Sequence, residues 1–152
     1  MYDSAPDTIK HIARVKHFIG AIAHELTKRG VQHDASKLQS PEKETFDELT
    51  PKLKELKYDS PEYRESLKEL GTALEHHYNA NSHHPEHYEN GIDDMNLLDI
   101  VEMFCDWAAA TERTKDGNLE VSIEKNKIRF GMSDQLVNIF RNSIELLKDN
   151  NK

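Results

Sequence analysis

The stretch that most constrains this chain runs from Leu97 to about Thr114. Leu97, Leu98, Ile100, Val101, Met103, Phe104, Cys105, Trp107, Ala108 and Ala109 make it apolar almost all round. Such a helix is a central one, packed by its neighbours on several sides. Asn96, with Asp99 three residues on, reads as a capping box with aspartate in place of glutamate, which fixes where the helix starts. The only polar stripe is Asp99, Glu102, Asp106 and Arg113. If that stripe faces water it is an ordinary exposed strip. On a central helix it must line a polar cavity, because burying unpaired carboxylates is costly. A metal ion would offset that cost. Cys105 points away from the stripe and reads as a small core residue.

The rest of the chain supplies the packing helices. The first is expected over about residues 7–29, capped by Ser4 or Asp7, with Gly30 just past its end. Its apolar stripe is Ile12, Val15, Phe18, Ile19, Ile22 and Leu26, with His11 at the inward edge and His17 and His24 on the far face. Ser40-Pro41-Glu42 signals a second start, with serine as cap and proline in the first turn. Phe46 and Leu49 follow, Pro51 is expected to break or kink the helix, and Leu53 and Leu56 continue the pattern to about Lys57. The many Glu and Lys residues here read as a solvated face. Ser60-Pro61-Glu62 repeats the start signal, and Tyr63, Leu67, Leu70, Leu74 and His77 form one stripe spaced 4, 3, 4, 3. His77 therefore lies on the core stripe, and His76 is rotated about 100° from it. A helix is expected from Ser122 to about Arg129, ended near Gly131. Another, capped by Ser133, carries Leu136, Ile139, Phe140, Ile144 and Leu147, and the tail from Asp149 to Lys152 should fray. No strand alternation, internal repeat or linker interrupts this pattern, so the expectation is a single all-α domain over residues 1–152.

Composition excludes several classes. A net charge of −8 argues against a dedicated nucleic-acid binder, which needs a basic face. One cysteine allows no internal disulfide, and the first residues lack the basic and apolar regions of a signal peptide. No apolar run approaches membrane-spanning length. A cytoplasmic location is the expectation.

Histidine usage is unusual. Five of the nine histidines fall between residues 76 and 87, too interrupted for an expression tag, which leaves metal binding as the reading. Upstream, His33-Asp34 joins an imidazole to a carboxylate just past a glycine, a pairing that suits a borderline divalent metal such as Mn, Fe, Co, Ni or Zn. The polar loop with His83-His84-Pro85-Glu86-His87 can supply one or two more ligands, and the sequence leaves open which.

In chain order the candidates are His11, His33-Asp34, His77, His83 or His84 or His87, and Asp106. This order resembles the HD superfamily of metal-dependent phosphohydrolases. The matching residues are His11-Ile-Ala-Arg-Val15, similar to that family's opening motif, the His33-Asp34 pair, and Asp106 on a late apolar helix. Over about residues 8–142 the chain also looks like a group of small bacterial and phage proteins within that superfamily, through HDASK, HY-x-x-N-x-HHPEH, DWAAATER and N-x-x-RFG. The resemblance implies an HD-like helical bundle in which His11, His33, Asp34 and Asp106 hold one ion. Asp34 would bridge to a second ion on His77 and His83 or His84. It implies one or two divalent ions, Mg included, and a small phosphorylated substrate, foremost a nucleotide. HD nucleotidases carry a glutamate three residues after the pair, where this chain has Lys37. The HD-x-x-K form is similar to cyclic-dinucleotide phosphodiesterases and to di-iron oxygenases of the same fold.

The expected activity is therefore hydrolysis of a small phosphate ester, with water activated by metal. Lys37 is the candidate point charge for a phosphoryl oxygen, and Arg113 and Arg129 are candidate bidentate clamps. Asp34 would act in catalysis through the metal, and Glu86 or Glu102 as base. Two alternatives stand beside this: an oxygen-activating di-iron enzyme on the same ligands, and a helical module whose histidines serve a structural metal or a partner interface. Homo-oligomerisation is left open.

Overall fold

A computed structural model of the protein describes residues 2–56, 60–113 and 116–148. The regular structure among them is helical throughout: seven α-helices and four short 3₁₀ segments, with no strand. The expected ends at Lys57 and Thr114, the tail from Asp149 and the side chain of Leu67 lie outside the described residues. No helix among the described residues is long and apolar enough to cross a membrane. The chain divides into two compact units, residues 1–33 and 34–152.

The first unit is one helix, α1 (Ala5–Gln32), 28 residues long and therefore about 42 Å from end to end. It runs through Gly30 instead of stopping before it. A glycine inside a helix costs only about 1 kcal/mol, and the turn comes at His33, whose ψ of 127° leaves the helical region. Ser4 stands at the cap position without a side-chain bond, and the Ala5 amide donates to Asp3 Oδ1 at 3.0 Å. No residue of α1 is buried.

The second unit begins with a 3₁₀ turn at Ala35–Leu38, followed by α2 (Glu42–Glu55). Pro51 does not break α2. It removes one backbone bond near the C-terminal end, and the helix finishes four residues later. The third stripe divides into α3 (Pro61–Glu69) and α4 (Gly71–Ala80). Gly71, at φ +45°, makes the turn that an L side chain resists. The stripe survives the turn, since Leu70, Ala73 and His77 are all buried. Ser60 caps α3 as expected, its Oγ accepting from the Tyr63 amide at 3.1 Å.

Next comes the histidine loop, with 3₁₀ turns at Pro85–His87 and Gly91–Asp94, and then α5 (Leu97–Thr111). The capping box is present: Asn96 Oδ1 accepts from the Leu98 and Asp99 amides, and Asp99 accepts from the Asn96 amide at 3.0 Å. α5 is not enclosed on every side. Met103 and Phe104 are buried, but Leu97 and Cys105 are exposed, so Cys105 is not the core residue expected. Isolated apolar residues on a surface are normal.

α6 (Leu119–Phe130) starts earlier than Ser122 because Asn118 caps it, and it ends at Gly131 with φ +63°. α7 (Asp134–Ser143) is capped by Ser133 as expected. Met103 and Phe104 of α5 pack with Ile123, Met132, Val137 and Phe140 to form the main core. Phe104 and Phe140 stack at 5.0 Å, and Trp107 meets Phe140 edge-on at 5.7 Å. Leu49, Leu70 and Ala73 are buried where α2 meets α3 and α4. This packing holds the start of α2, the end of α4, the histidine loop and α5 against one another.

Candidate metal centre

The site starts where the backbone turns sharply. Asp34 lies two residues past the end of α1 and adopts left-handed angles, φ 55° and ψ 17°, before the 3₁₀ turn. A regular helix would splay neighbouring side chains by about 100°; the left-handed residue re-aims the carboxylate. Its Oδ2 accepts from Lys37 Nζ at 2.6 Å. Its Oδ1 lies 3.4 Å from His77 Nε2 and 3.5 Å from His83 Nε2. His77 Nε2 is in turn 2.9 Å from His84 Nε2.

Asp34, His77, His83 and His84 thus each offer one donor atom, all within 4.8 Å of one another, in a set that can hold a metal ion. With metal–ligand bonds of about 2.0–2.1 Å, donors on one ion sit about 3.4 Å apart in a tetrahedron and about 3.0 Å apart at right angles. The separations of 2.9, 3.4 and 3.5 Å fall at these edge lengths. Three imidazoles and one carboxylate suit a borderline divalent ion.

Buried carboxylates stand behind two of the imidazoles. Glu42, the first residue of α2, is fully buried. It meets His77 Nδ1 at 2.9 Å, His76 Nδ1 at 2.7 Å and Ser36 Oγ at 3.0 Å. Glu102 of α5 meets His83 Nδ1 at 3.2 Å. An ionised carboxylate only accepts, so these partners put the proton on Nδ1 and leave the Nε2 lone pairs aimed inward, the usual arrangement behind metal-binding histidines. Burial alone would raise the Glu42 pKa, but hydrogen bonds from His76, Ser36 and His77 hold it below the ordinary value. Burial and the Lys37 charge lower the pKa of His77. Burial, with His83 and His77 alongside, lowers His84 to about 3. His77 and His84 are thus shifted toward the neutral form, which is the form a metal requires.

The loop that carries His83 and His84 is anchored from behind. Asp99 is fully buried and accepts from Ser82 Oγ at 2.7 Å and Tyr88 Oη at 2.8 Å, in addition to its capping bond. His87 is tied down by a bond between its Nδ1 and the Tyr78 carbonyl at 2.9 Å. Asn81 donates to Ser36 Oγ and to the His77 carbonyl, both at 2.8 Å. The polar stripe of α5 thus serves the loop: Asp99 anchors it, Glu102 orients His83, and the charge of Asp106 acts on His84.

The structure brings together Asp34, Lys37, His77, His83 and His84 of the expected set, with Asp106 near His84. It answers which loop histidines face the centre: His83 and His84 do, and His87 bonds to backbone. His76 stays half-exposed on Glu42. Glu86 pairs with Arg129 Nη2 at 2.6 Å. That arginine also reaches Tyr78 Oη at 3.5 Å, and the Tyr78 ring lies 5.0 Å from the His84 ring. Arg113 is exposed just past the end of α5. His33 closes the first unit and is tied to Asp34 by their peptide bond. His11 departs from expectation. It is exposed, and the unbroken helix α1 puts it about 30 Å from His33, so the two cannot share an ion.

Glu42 and Glu102 were not singled out as histidine partners by their residue type alone. A signal for Glu42 existed: with Phe46, Leu49 and Leu53 it is spaced 4, 3, 4, which puts it on the buried face of α2.

No curated protein and no solved structure matches the chain. The family described as "Family of unknown function (DUF5662)" matches residues 1–146, and the chain belongs to that family.

Proposed function

We propose that the protein is a metal-dependent hydrolase of small phosphate esters, its ion held by Asp34, His77, His83 and His84. The observation that carries this reading is the spacing of the four donors together with the Glu42 and Glu102 carboxylates behind two of them. The HD resemblance adds His33 and Asp106 as further ligands. A bound divalent ion would supply the Lewis acid and lower the pKa of a water molecule.

The chain's own residues have separable parts in this chemistry. Asp34 presents Oδ1 inward while Lys37 neutralises Oδ2, so Lys37 sets the direction of the carboxylate and brings a positive charge to the edge of the site. The Phe46 ring, 5.2 Å from Lys37 Nζ, limits where the ammonium can move. Arg129 is the cation on the His84 side, held by Glu86, and can trade that partner for a phosphoryl oxygen. Two cations, one on Asp34 and one beside Tyr78, favour an anionic substrate. Nucleotides are the first class to test.

The test is metal analysis of untagged protein, followed by anaerobic assay of the Mn-loaded form against nucleotides and other phosphate esters. Phosphate release that is independent of oxygen and reduced in Lys37→Ala supports the hydrolase. No release from any ester, with oxygen uptake by iron-loaded protein, replaces it with an oxygenase. Metal removal that unfolds a protein with neither activity assigns the ion a structural role.

A further inference from the structure

Structural metal sites are closed by four protein ligands, whereas catalytic ones keep a position for water or substrate. Asp34, His77, His83 and His84 make a closed set of four. Substrate enters such a centre most simply by replacing a ligand, and the four are not held alike. His77 and His83 are each only 2% exposed. Each has a carboxylate behind its ring, Glu42 at 2.9 Å from His77 Nδ1 and Glu102 at 3.2 Å from His83 Nδ1. Asp34 is held through its other oxygen by Lys37. His84 differs on every count. Its side chain is half-buried. Asp106 reaches it through charge and not through a hydrogen bond. His77 keeps its proton on Nδ1 for Glu42, so His84 Nε2 donates to His77 Nε2 at 2.9 Å, and among the described residues this is the one hydrogen bond of the His84 ring. Metal binding at His77 uses that same lone pair, and so removes the bond that fixes His84. The Tyr78 ring, 5.0 Å away, packs against the imidazole without orienting its nitrogens.

We infer, on the metal-dependent reading proposed above, that His84 is the exchangeable ligand of this centre. Its ring closes the site in the resting protein and gives up its place to a phosphoryl oxygen of the substrate. One lone pair replaces another, so neither a proton nor an electron moves with the exchange. The backbone stays in place, because the His84 amide donates to the Asn81 carbonyl at 3.2 Å and His87 is tied to the Tyr78 carbonyl at 2.9 Å. A half-buried ring regains water as it leaves. His77 or His83 would instead abandon a carboxylate inside the protein, and burying an unpaired charge is costly. Partners behind a ligating histidine also orient its ring and raise its basicity, which makes the two supported rings the ones that stay.

The experiment uses the full-length protein, isotope-labelled at histidine and loaded with zinc, with the imidazole nitrogen resonances reporting which rings are bound. Adding inorganic phosphate should return one imidazole to its unbound position, and that signal should be missing from His84→Ala. Chelator competition should show zinc binding weakened about tenfold or less in His84→Ala, and more than about 100-fold in His77→Ala and His83→Ala, beyond the loss of an outer partner alone. Phosphate that leaves every bound imidazole in place overturns the inference and makes the ion structural. Release of His77 or His83 overturns it too, as does a His84→Ala protein that loses zinc as fully as His77→Ala. A wild type that takes up no metal at all removes the centre itself, and this inference with it.

Discussion

Replacing Glu42 by glutamine should weaken metal binding about tenfold without unfolding the protein. In the native site this carboxylate accepts three hydrogen bonds, from His77, His76 and Ser36. Glutamine offers one acceptor oxygen. That oxygen is best placed toward buried His77 and Ser36, and the amide nitrogen toward half-exposed His76, which can present its other tautomer. What is lost is the negative charge behind a metal-binding imidazole. Partners of this kind are worth about 10–100-fold in metal affinity, or about 1.4–2.7 kcal/mol; keeping the His77 bond puts the expectation at the lower end. At free metal of about 100 times the wild-type Kd the ion stabilises the fold by about 2.7 kcal/mol, and at the same concentration Glu42→Gln should gain only about 1.4 kcal/mol. Chelator competition measures the affinity, and thermal unfolding with and without metal measures the stabilisation. His76→Ala is the control and should leave both unchanged. Affinity in Glu42→Gln within twofold of wild type would refute the argument that the buried carboxylate orients and charges His77.

Other substitutions test other parts of the centre. Asp99→Ala removes the acceptor for Ser82, Tyr88 and the Asn96 amide. It should cost about 3 kcal/mol or more, seen as a lower urea midpoint, and should lower metal affinity because the histidine loop is released. His11→Ala should leave the metal content of purified protein unchanged, and loss of metal would contradict the straight path of α1. The metal-free protein should lose stability as pH falls below about 6.5. His84 is held neutral in the fold with a pKa of about 3, so over that interval only the unfolded chain gains its proton, at about 1.4 kcal/mol per pH unit. Melting curves of chelator-treated protein that are flat from pH 6.5 to 4 would rule this out. Gly131→Ala should cost about 1–2 kcal/mol, because φ there is +63°, and should leave metal affinity alone.

Periodicity made most of the helices legible. The Asn96 and Ser133 caps and the Gly131 stop were readable because each satisfies a backbone requirement with local residues only. Gly30 and Pro51 misled for the complementary reason. Both carry a cost that a long helix absorbs, and no rule of residue type says whether it will. Gly71 was passed over because the apolar stripe continues across it, although its backbone angle divides one helix into two. At the centre, His77 was visible because a histidine on a core stripe must be satisfied from inside the protein. The choice of His83 and His84 over His87 was not, because it depends on how Ser82 and Tyr88 are pinned to Asp99. Glu42 shows the limit of reading charges as solvent-facing: its neighbours in sequence are charged, while its neighbours in space are two imidazoles and a hydroxyl.

The left-handed backbone at Asp34 restricts what this position can become. A φ of 55° is comfortable for glycine and open to asparagine and aspartate, whose short polar side chains tolerate it. Glutamate and cysteine, which also bind metals as anions, meet a steric cost there. Among residues that accept this turn readily, aspartate alone brings an anionic donor. A family lineage that abandoned the metal would therefore be expected to show asparagine or glycine at this position, with the turn and the helices on either side of it intact. The backbone alone would hold the position to a few residues, and the charge would reduce them to one.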